Sequence, residues 1–400
     1  MSRSARLCAS PEQPKPNGTP FQSVALLLQG GGALGAYQAG VYEALAERGV
    51  EPTWLAGISI GAINSAIIAG NAPAVRVSKL RTFWDAVSAN RWPVPAYKTD
   101  PWRTGPFRGL LNQWAAAGVM LTGVPGFFSP RFPPPGLHVS GAEAAVSWYE
   151  AGELRAMLER LVDFELINHP SAMRFSVGAV NVRTGNFAYF DNATDTIAAE
   201  HVMASGALPP AFAPVEVDGE AYWDGGLVSN TPLDWVLSAR SGLDTLVFQV
   251  DLWSAQGSRP SDLAGVAVRM KEIQYSSRTR AATDRFREQQ QLRAALQDLI
   301  QSLPKELVCT PETMRLAEAA DLAGFNIVQL IYRSPAYEQA SKDYDFSRRS
   351  MEDHWRAGYE NAAESLKHPQ TLSLPRAPGE VAVYDFLRSA DDSRAQQEIG

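Results

Sequence analysis

The stretch Trp54-Leu55-Ala56-Gly57-Ile58-Ser59-Ile60-Gly61-Ala62-Ile63-Asn64-Ser65-Ala66 decides how the rest of the chain is read. A short apolar run leads into a serine held between two glycines, and small and apolar residues at helical spacing leave it. This is the pattern of a nucleophile elbow, a strand-to-helix turn too sharp for side chains on its flanks. Gly57 and Gly61 remove the collisions, and Ser59 is pushed out at the helix N-terminus. Free backbone N–H groups and the helix dipole there favour developing negative charge. An ordinary βα turn that contains a serine fits the same five residues, so the flanking sequence has to decide.

Upstream, Phe21 to Gln29 reads as a strand whose core, Val24-Ala25-Leu26-Leu27-Leu28, is too continuously apolar to be half-exposed. Such a run suits a central parallel strand covered on both faces. Gly30-Gly31-Gly32-Ala33-Leu34-Gly35 follows, and then Ala36 to Leu45 at helical spacing, ending near Gly49. Strand, glycine loop, helix, strand, serine turn and helix make a βαβα start, which implies an α/β fold with a parallel sheet. Gly30, Gly32 and Gly35 also fit the G-x-G-x-x-G spacing of dinucleotide folds. That fingerprint needs an acidic residue after the second strand to hold a ribose. Here the second strand runs into Gly57-Ile58-Ser59, and Glu51 lies before it, so the dinucleotide reading is disfavoured.

Composition narrows the rest. Four hundred residues at 45% hydrophobic and 20% charged can bury a sizeable core. A net charge of −7 argues against a nucleic-acid partner, which calls for a basic face. No run of about 20 apolar residues is free of charge or breakers, as a transmembrane helix requires. Residues 1–20 read as a disordered leader without the apolar core of a signal peptide. The two cysteines, Cys8 and Cys309, rule out a disulfide framework or a cysteine metal site and fit a reducing compartment, the cytoplasm. His138, His169, His201, His354 and His368 have no metal-like spacing. Neither a metal nor a cofactor is expected.

Residues 91–140 crowd prolines among aromatics such as Trp92, Trp102, Trp114, Phe127 and Phe132, so continuous regular structure is not expected. The stretch is either a loop packed over the core, the preferred reading, or a flap that touches lipid. Gly141 to Leu166 reads as helical, with Leu154, Met157, Leu158 and Leu161 on one stripe. Hairpins are expected over 175–190 and, around Asp218-Gly219, over 215–223. The second hairpin delivers Asp224-Gly225-Gly226 at a strand end. Thr245 to Val250 is a further strand. Residues 264–303 form a charged helix or helix pair, and another strand at 325–332 precedes a final helix over 346–366.

The glycine loop, Gly57-Ile58-Ser59-Ile60-Gly61 and Asp224-Gly225-Gly226 stand in the order that marks the patatin-like phospholipase family, which the chain resembles over about residues 22–250. The approach Ala204-Ser205-Gly206-Ala207-Leu208-Pro209-Pro210 also resembles that family, and Lys342 to Ser350 resembles an extension of unassigned function in a bacterial subgroup. The resemblance implies a three-layer α/β/α core with a mostly parallel sheet and a largely helical C-terminal extension. The divisions are a leader over 1–20, a catalytic domain over 21–255 with the 91–140 insertion, and the extension over 256–400. It also implies a serine hydrolase of carboxylic esters of lipids. Ser59 would be the nucleophile and Asp224 its base in a dyad. Gly31, Gly32 and Ala33 would hold the oxyanion, with Gly30, Gly35, Gly57, Gly61, Gly225 and Gly226 supporting the turns. The expected partner is a lipid or acyl ester, with peripheral membrane contact; the oligomeric state stays open. His201 is read as a helix residue in preference to a third catalytic member. Leu34 stands where family members commonly carry Arg or Lys, which leaves neutral acyl esters, lysolipids and thioesters open beside phospholipids. An acyltransferase or a non-catalytic lipid-binding protein is the alternative.

Overall fold

The computed structural model describes residues 19–89, 106–239, 242–257, 259–276, 279–308, 310–335, 338 and 341–387. Both cysteines, nearly all of the expected leader, Trp92 and Trp102 lie outside them. β1 (Ser23–Leu28) is buried along its whole length, as an apolar strand covered on both faces must be. A 3₁₀ turn over Gly32–Gly35 passes the chain to α1 (Ala36–Glu47), and β2 (Trp54–Gly57) leads into α2 (Ile60–Ala69). All ten residues of α2 are buried. A helix apolar all round belongs inside a core. α3 (Pro73–Val87) begins on a proline, whose missing N–H is unneeded in a first turn.

Two expectations shift in the next stretch. α4 (Pro106–Thr122) is a regular helix within the region read as irregular. No proline lies between Pro106 and Pro125, so nothing there breaks it. The helix expected over 141–166 is shorter. A ribbon of β3 (Ser129–Pro130) and β4 (Tyr149–Glu150) precedes α5 (Gly152–Leu161), which buries the anticipated stripe of Leu154, Met157, Leu158 and Leu161. α6 (Phe164–Ile167) follows. Both hairpins are present. The first is β5 (Arg174–Asn181) with β6 (Phe187–Asp191). After α7 (Ala199–Ser205) comes the second, β7 (Val215–Val217) with β8 (Glu220–Asp224), turning on Asp218 and Gly219 at φ 51° and 80°.

α8 (Leu233–Ser238) and β9 (Thr245–Asp251) complete the first part. The charged stretch is a helix pair, α9 (Leu263–Tyr275) and α10 (Thr279–Ser302), followed by α11 (Lys305–Val308), α12 (Pro311–Ala319), β10 (Phe325–Ile331), α13 (Arg348–Ser365) and β11 (Val381–Tyr384). The central sheet runs β11-β10-β9-β1-β2-β5-β8-β7, with β6 also on β5. From β11 to β5 every pair is parallel, and only β6, β7 and β8 run against their neighbours. The fold is therefore a mostly parallel sheet with helices on both sides and a helical C-terminal region. That region does more than pack outside, because β10 and β11 extend the sheet itself.

Along β1, Val24, Leu26 and Leu28 enter one apolar cluster while Ala25 and Leu27 enter the other, the period-two signature of a strand between two layers. From β1 the chain progresses outward through β2 and β5 on one side, and from β9 through β10 and β11 on the other. Ligands in open α/β sheets bind outside the strand C-termini at such a reversal.

α13 crosses α1 at two reciprocal glycines. A Cβ on Gly40 would collide with the Trp355 carbonyl, and one on Gly358 with the Tyr37 carbonyl. The helix backbones meet directly there. Gly40→Ala and Gly358→Ala should each lower the unfolding free energy by about 1–3 kcal/mol, the usual cost of overpacking. Urea denaturation reads this, and an unchanged midpoint for both variants would contradict the crossing.

Candidate active site

Ser59 sits at φ 55° and ψ −123° between β2 and α2. Positive φ is uncommon for a residue with a Cβ and costs on the order of 1–3 kcal/mol. The surroundings enforce it. A Cβ on Gly57 would strike the Gly61 carbonyl, and one on Gly61 would strike the carbonyl of Leu28 at the end of β1. The Ser59 N–H donates to Ser205 Oγ at 3.0 Å, and that hydroxyl donates to the Gly178 carbonyl at 2.7 Å. Ser205 lies in the segment before the aspartate and braces the elbow from α7.

The glycine loop runs beside this turn. A Cβ on Gly30 would lie 3.1 Å from the Ser59 Cβ and would run into the Asn230 amide. Asn230 Nδ2 and Trp253 Nε1 both donate to the Gly30 carbonyl, each at 3.0 Å. Buried Gln29 braces the base: its Oε1 accepts from the N–H groups of Leu252 at 2.6 Å and Trp253 at 3.0 Å. Leu34 N–H donates to the Gly31 carbonyl at 3.2 Å. Among the described residues, the N–H groups of Gly31, Gly32 and Ala33 have no acceptor. Gly30, Gly31 and Gly32 line the cavity, whereas Ala33 and Leu34 are buried in the apolar core. Gly35 packs under Ile60 and Trp84.

Asp224 ends β8, only 2% exposed. Its N–H donates to the Ala207 carbonyl at 3.0 Å, and its Oδ1 accepts from Gly226 N–H at 2.7 Å. Its carboxyl and the Ser59 side chain line one cavity. Burial pushes its pKa from 3.8 up to about 6, against the lowering effect of the nearby Ser59 side chain and the Gly226 N–H. Gly225 is required by the approach of the Gly178 carbonyl, 2.6 Å from where a Cβ would be. A buried carboxyl that shares a cleft with a strained serine is a candidate proton acceptor.

The cavity has a polar end at Ser59, Asp224, Asn230 and the glycines, and an apolar end that includes Ile63, Phe127, Phe128, Leu208 and Phe212. Phe127 and Phe128 come from the 91–140 stretch, and Tyr275, Asp343, Tyr344 and Phe346 from beyond residue 255. The Phe127 and Phe346 rings stand edge to face at 5.8 Å. His201 is not among the lining residues. It is buried on α7 against Phe190, and its Nδ1 accepts from the Ala198 N–H at 3.0 Å, an N-terminal cap. Sequence reasoning gives no site role to Asn230, Trp253 or the aromatic residues beyond 255, although Asn230 stands six residues after Asp224 and Tyr344 and Phe346 fall in the segment from Lys342 to Ser350 set apart by resemblance.

Comparison with known proteins follows the same lines. A family model described as patatin-like phospholipase matches residues 26–237, and a second, described as patatin phospholipase, matches residues 273–377. Among solved structures, VipD from Legionella pneumophila is similar at 17% sequence identity and a TM-score of 0.35, over 87% of this chain and 67% of that one. No curated protein sequence matches.

The raised Asp224 pKa has a consequence for stability. The folded state holds this proton more tightly than the unfolded chain, so its contribution to stability falls as pH rises from about 4 to about 6. The gap between 3.8 and about 6 corresponds to about 3 kcal/mol. Asp224→Asn should therefore stabilise the protein at pH 7.5 by up to about 3 kcal/mol and lose that advantage below pH ~4. Denaturant titrations at both pH values read this; a variant less stable than wild type at pH 7.5 contradicts it.

Proposed function

The chain belongs to the patatin-like phospholipase family, and from that premise we propose that it is a serine lipid acyl hydrolase working through Ser59 and Asp224. Ser59 Oγ attacks the ester carbonyl carbon while its proton moves to the Asp224 carboxylate. The carbonyl oxygen gains the electron pair and is received by the N–H groups of Gly31 and Gly32, with Ala33 behind them. Collapse breaks the bond to the alcohol oxygen, which takes the proton from Asp224 and leaves an acyl-Ser59. Water then attacks the acyl group, Asp224 accepts its proton, and Ser59 leaves reprotonated. Oxyanion donors of this kind are worth about 10²–10³ in rate each.

The observation that carries this reading is the buried Asp224 carboxyl sharing one cavity with the strained Ser59, beside a loop whose Gly31 and Gly32 N–H groups have no acceptor among the described residues. Aspartate is ordinarily a weak base near neutrality, and burial raises its affinity for a proton toward a working value. The apolar end of the cavity accommodates an acyl chain. Among the described lining residues, Asp224 and Asp343 are acidic and none is a lysine or arginine, which favours an uncharged acyl ester over an anionic headgroup.

Ser59→Ala and Asp224→Asn should each remain folded and lose at least ~10³-fold in kcat. Ester hydrolysis at the wild-type rate by either variant sinks the dyad. Because Asp224 must be ionised to accept the serine proton, kcat/KM should fall about tenfold per pH unit below its pKa of about 6. A flat profile from pH 4 to 8 removes Asp224 as the base. Neutral and anionic lipid esters of one chain length, compared in mixed micelles, test the headgroup reading; faster turnover of the anionic substrate counts against it.

A further inference from the structure

The region beyond residue 255 takes no part in the steps above, yet it forms one wall of the cavity. Two of its elements are tied to each other by two crossed ion pairs. Consecutive residues of α9, Lys271 and Glu272, meet consecutive residues of the 3₁₀ turn Lys342–Tyr344. Lys271 Nζ lies 2.8 and 2.9 Å from the two Asp343 carboxylate oxygens. Lys342 Nζ lies 3.1 Å from Glu272 Oε1 and 2.8 Å from Ser334 Oγ. Lys342 is 4% exposed. A lysine withdrawn from water to that degree needs compensating charge and hydrogen bonds, and here it has both.

Its neighbours touch the glycine loop at two points. The Lys342 ammonium stands 5.0 Å from the centre of the Trp253 ring, whose indole N–H donates to the Gly30 carbonyl at 3.0 Å. The carbonyl of the next residue, Asp343, abuts Gly32 so closely that a Cβ there would collide, and Gly32 holds φ 56°. Gly30 and Gly32 flank Gly31. The loop is thus held on both sides by groups that converge on one buried cation.

We propose that Lys342, clamped by Glu272, is a positioning residue for the glycine loop: it seats the Asp343 carbonyl against Gly32 and the Trp253 indole on Gly30, and thereby aims the Gly31 and Gly32 N–H groups into the cavity. The inference rests on the oxyanion role proposed above. Lys342 does not touch the reacting atoms. Its effect is on where the donors point, and catalytic groups misplaced by about 1 Å lose on the order of 10²-fold in rate.

Lys342→Met tests this in the full-length chain. The substitution keeps an unbranched apolar stem, and Glu272 is not stranded, because its Oε2 retains Arg269 at 3.1 Å. With p-nitrophenyl butyrate, kcat should fall about 10–100-fold while KM stays near the wild-type value. The rate at which a fluorophosphonate labels Ser59 should fall in parallel, since that adduct also places an oxygen at the loop. Lys342→Arg, which keeps the charge, should recover most of both rates. A folded Lys342→Met protein with wild-type kcat and labelling rate overturns the proposal, as does a loss expressed in KM alone. Should Lys342→Met fail to fold, Glu272→Gln loosens the same clamp: a parallel fall in the same two rates supports the positioning role, and wild-type values for both overturn it. Ser59→Ala in the same assay separates the two ideas. If it keeps wild-type activity, the serine mechanism fails; if it is inactive while Lys342→Met is unimpaired, only the positioning role fails.

Discussion

The constraint on which the site depends is the meeting of three backbone segments at the elbow. Gly61 lies against the Leu28 carbonyl at the end of β1, and Gly57 against the Gly61 carbonyl. Adjacent parallel strands bring the ends of β1 and β2 to one level, with Leu28 opposite Gly57. The chain leaving β2 must therefore turn within van der Waals range of the chain leaving β1. The positive φ of Ser59 follows from that crowding. The glycine loop leaves β1 next to the serine, where a Cβ on Gly30 would lie 3.1 Å from the Ser59 Cβ. Strain at one residue and closeness of two loops have the same origin.

Polar side chains then convert proximity into rigidity. Asn64 on α2 donates to the Gly35 carbonyl at 3.0 Å and to Gln38 Oε1 at 2.9 Å, and accepts from Trp84. Gln38 donates to the Gln29 carbonyl at 2.6 Å. These buried amides connect both ends of the glycine loop to helices on either side of it. Networks of this kind are costly when half satisfied and restrictive when complete. A loop with four glycines in six residues holds one shape because its carbonyls are occupied.

Much of this is legible in the sequence, and the reason is local sterics. Glycines at 57 and 61 have meaning only if the chain folds back on itself between them, and the run Val24 to Leu28 has meaning only between two layers. Asp224 is readable because the turn that presents it is spelled in adjacent residues. The contacts that pin the loop are not readable. Asn230 and Trp253 reach Gly30 across 200 and 223 residues, and nothing near either residue announces the pairing. Lys342 falls in a segment that the sequence marks only by its resemblance to an extension of unassigned function; only the sheet topology, which adds β10 beside β9, brings that segment against the loop. α4 escapes a sequence reading for the opposite reason. The proline density around it is averaged over a window that contains a proline-free helix.

The glycine crossing of α1 and α13 also bears on the order of events during synthesis. α1 leaves the ribosome early, with its backbone face shaped for a partner 318 residues downstream, since Gly40 awaits Gly358. β1 likewise lies between β2 and the much later β9. Pairings of such separation form late and slowly. Ser59 and Asp224 are both translated before the cavity wall of Tyr344 and Phe346 exists. A growing chain therefore carries Ser59 in an unfinished pocket until that wall has been made.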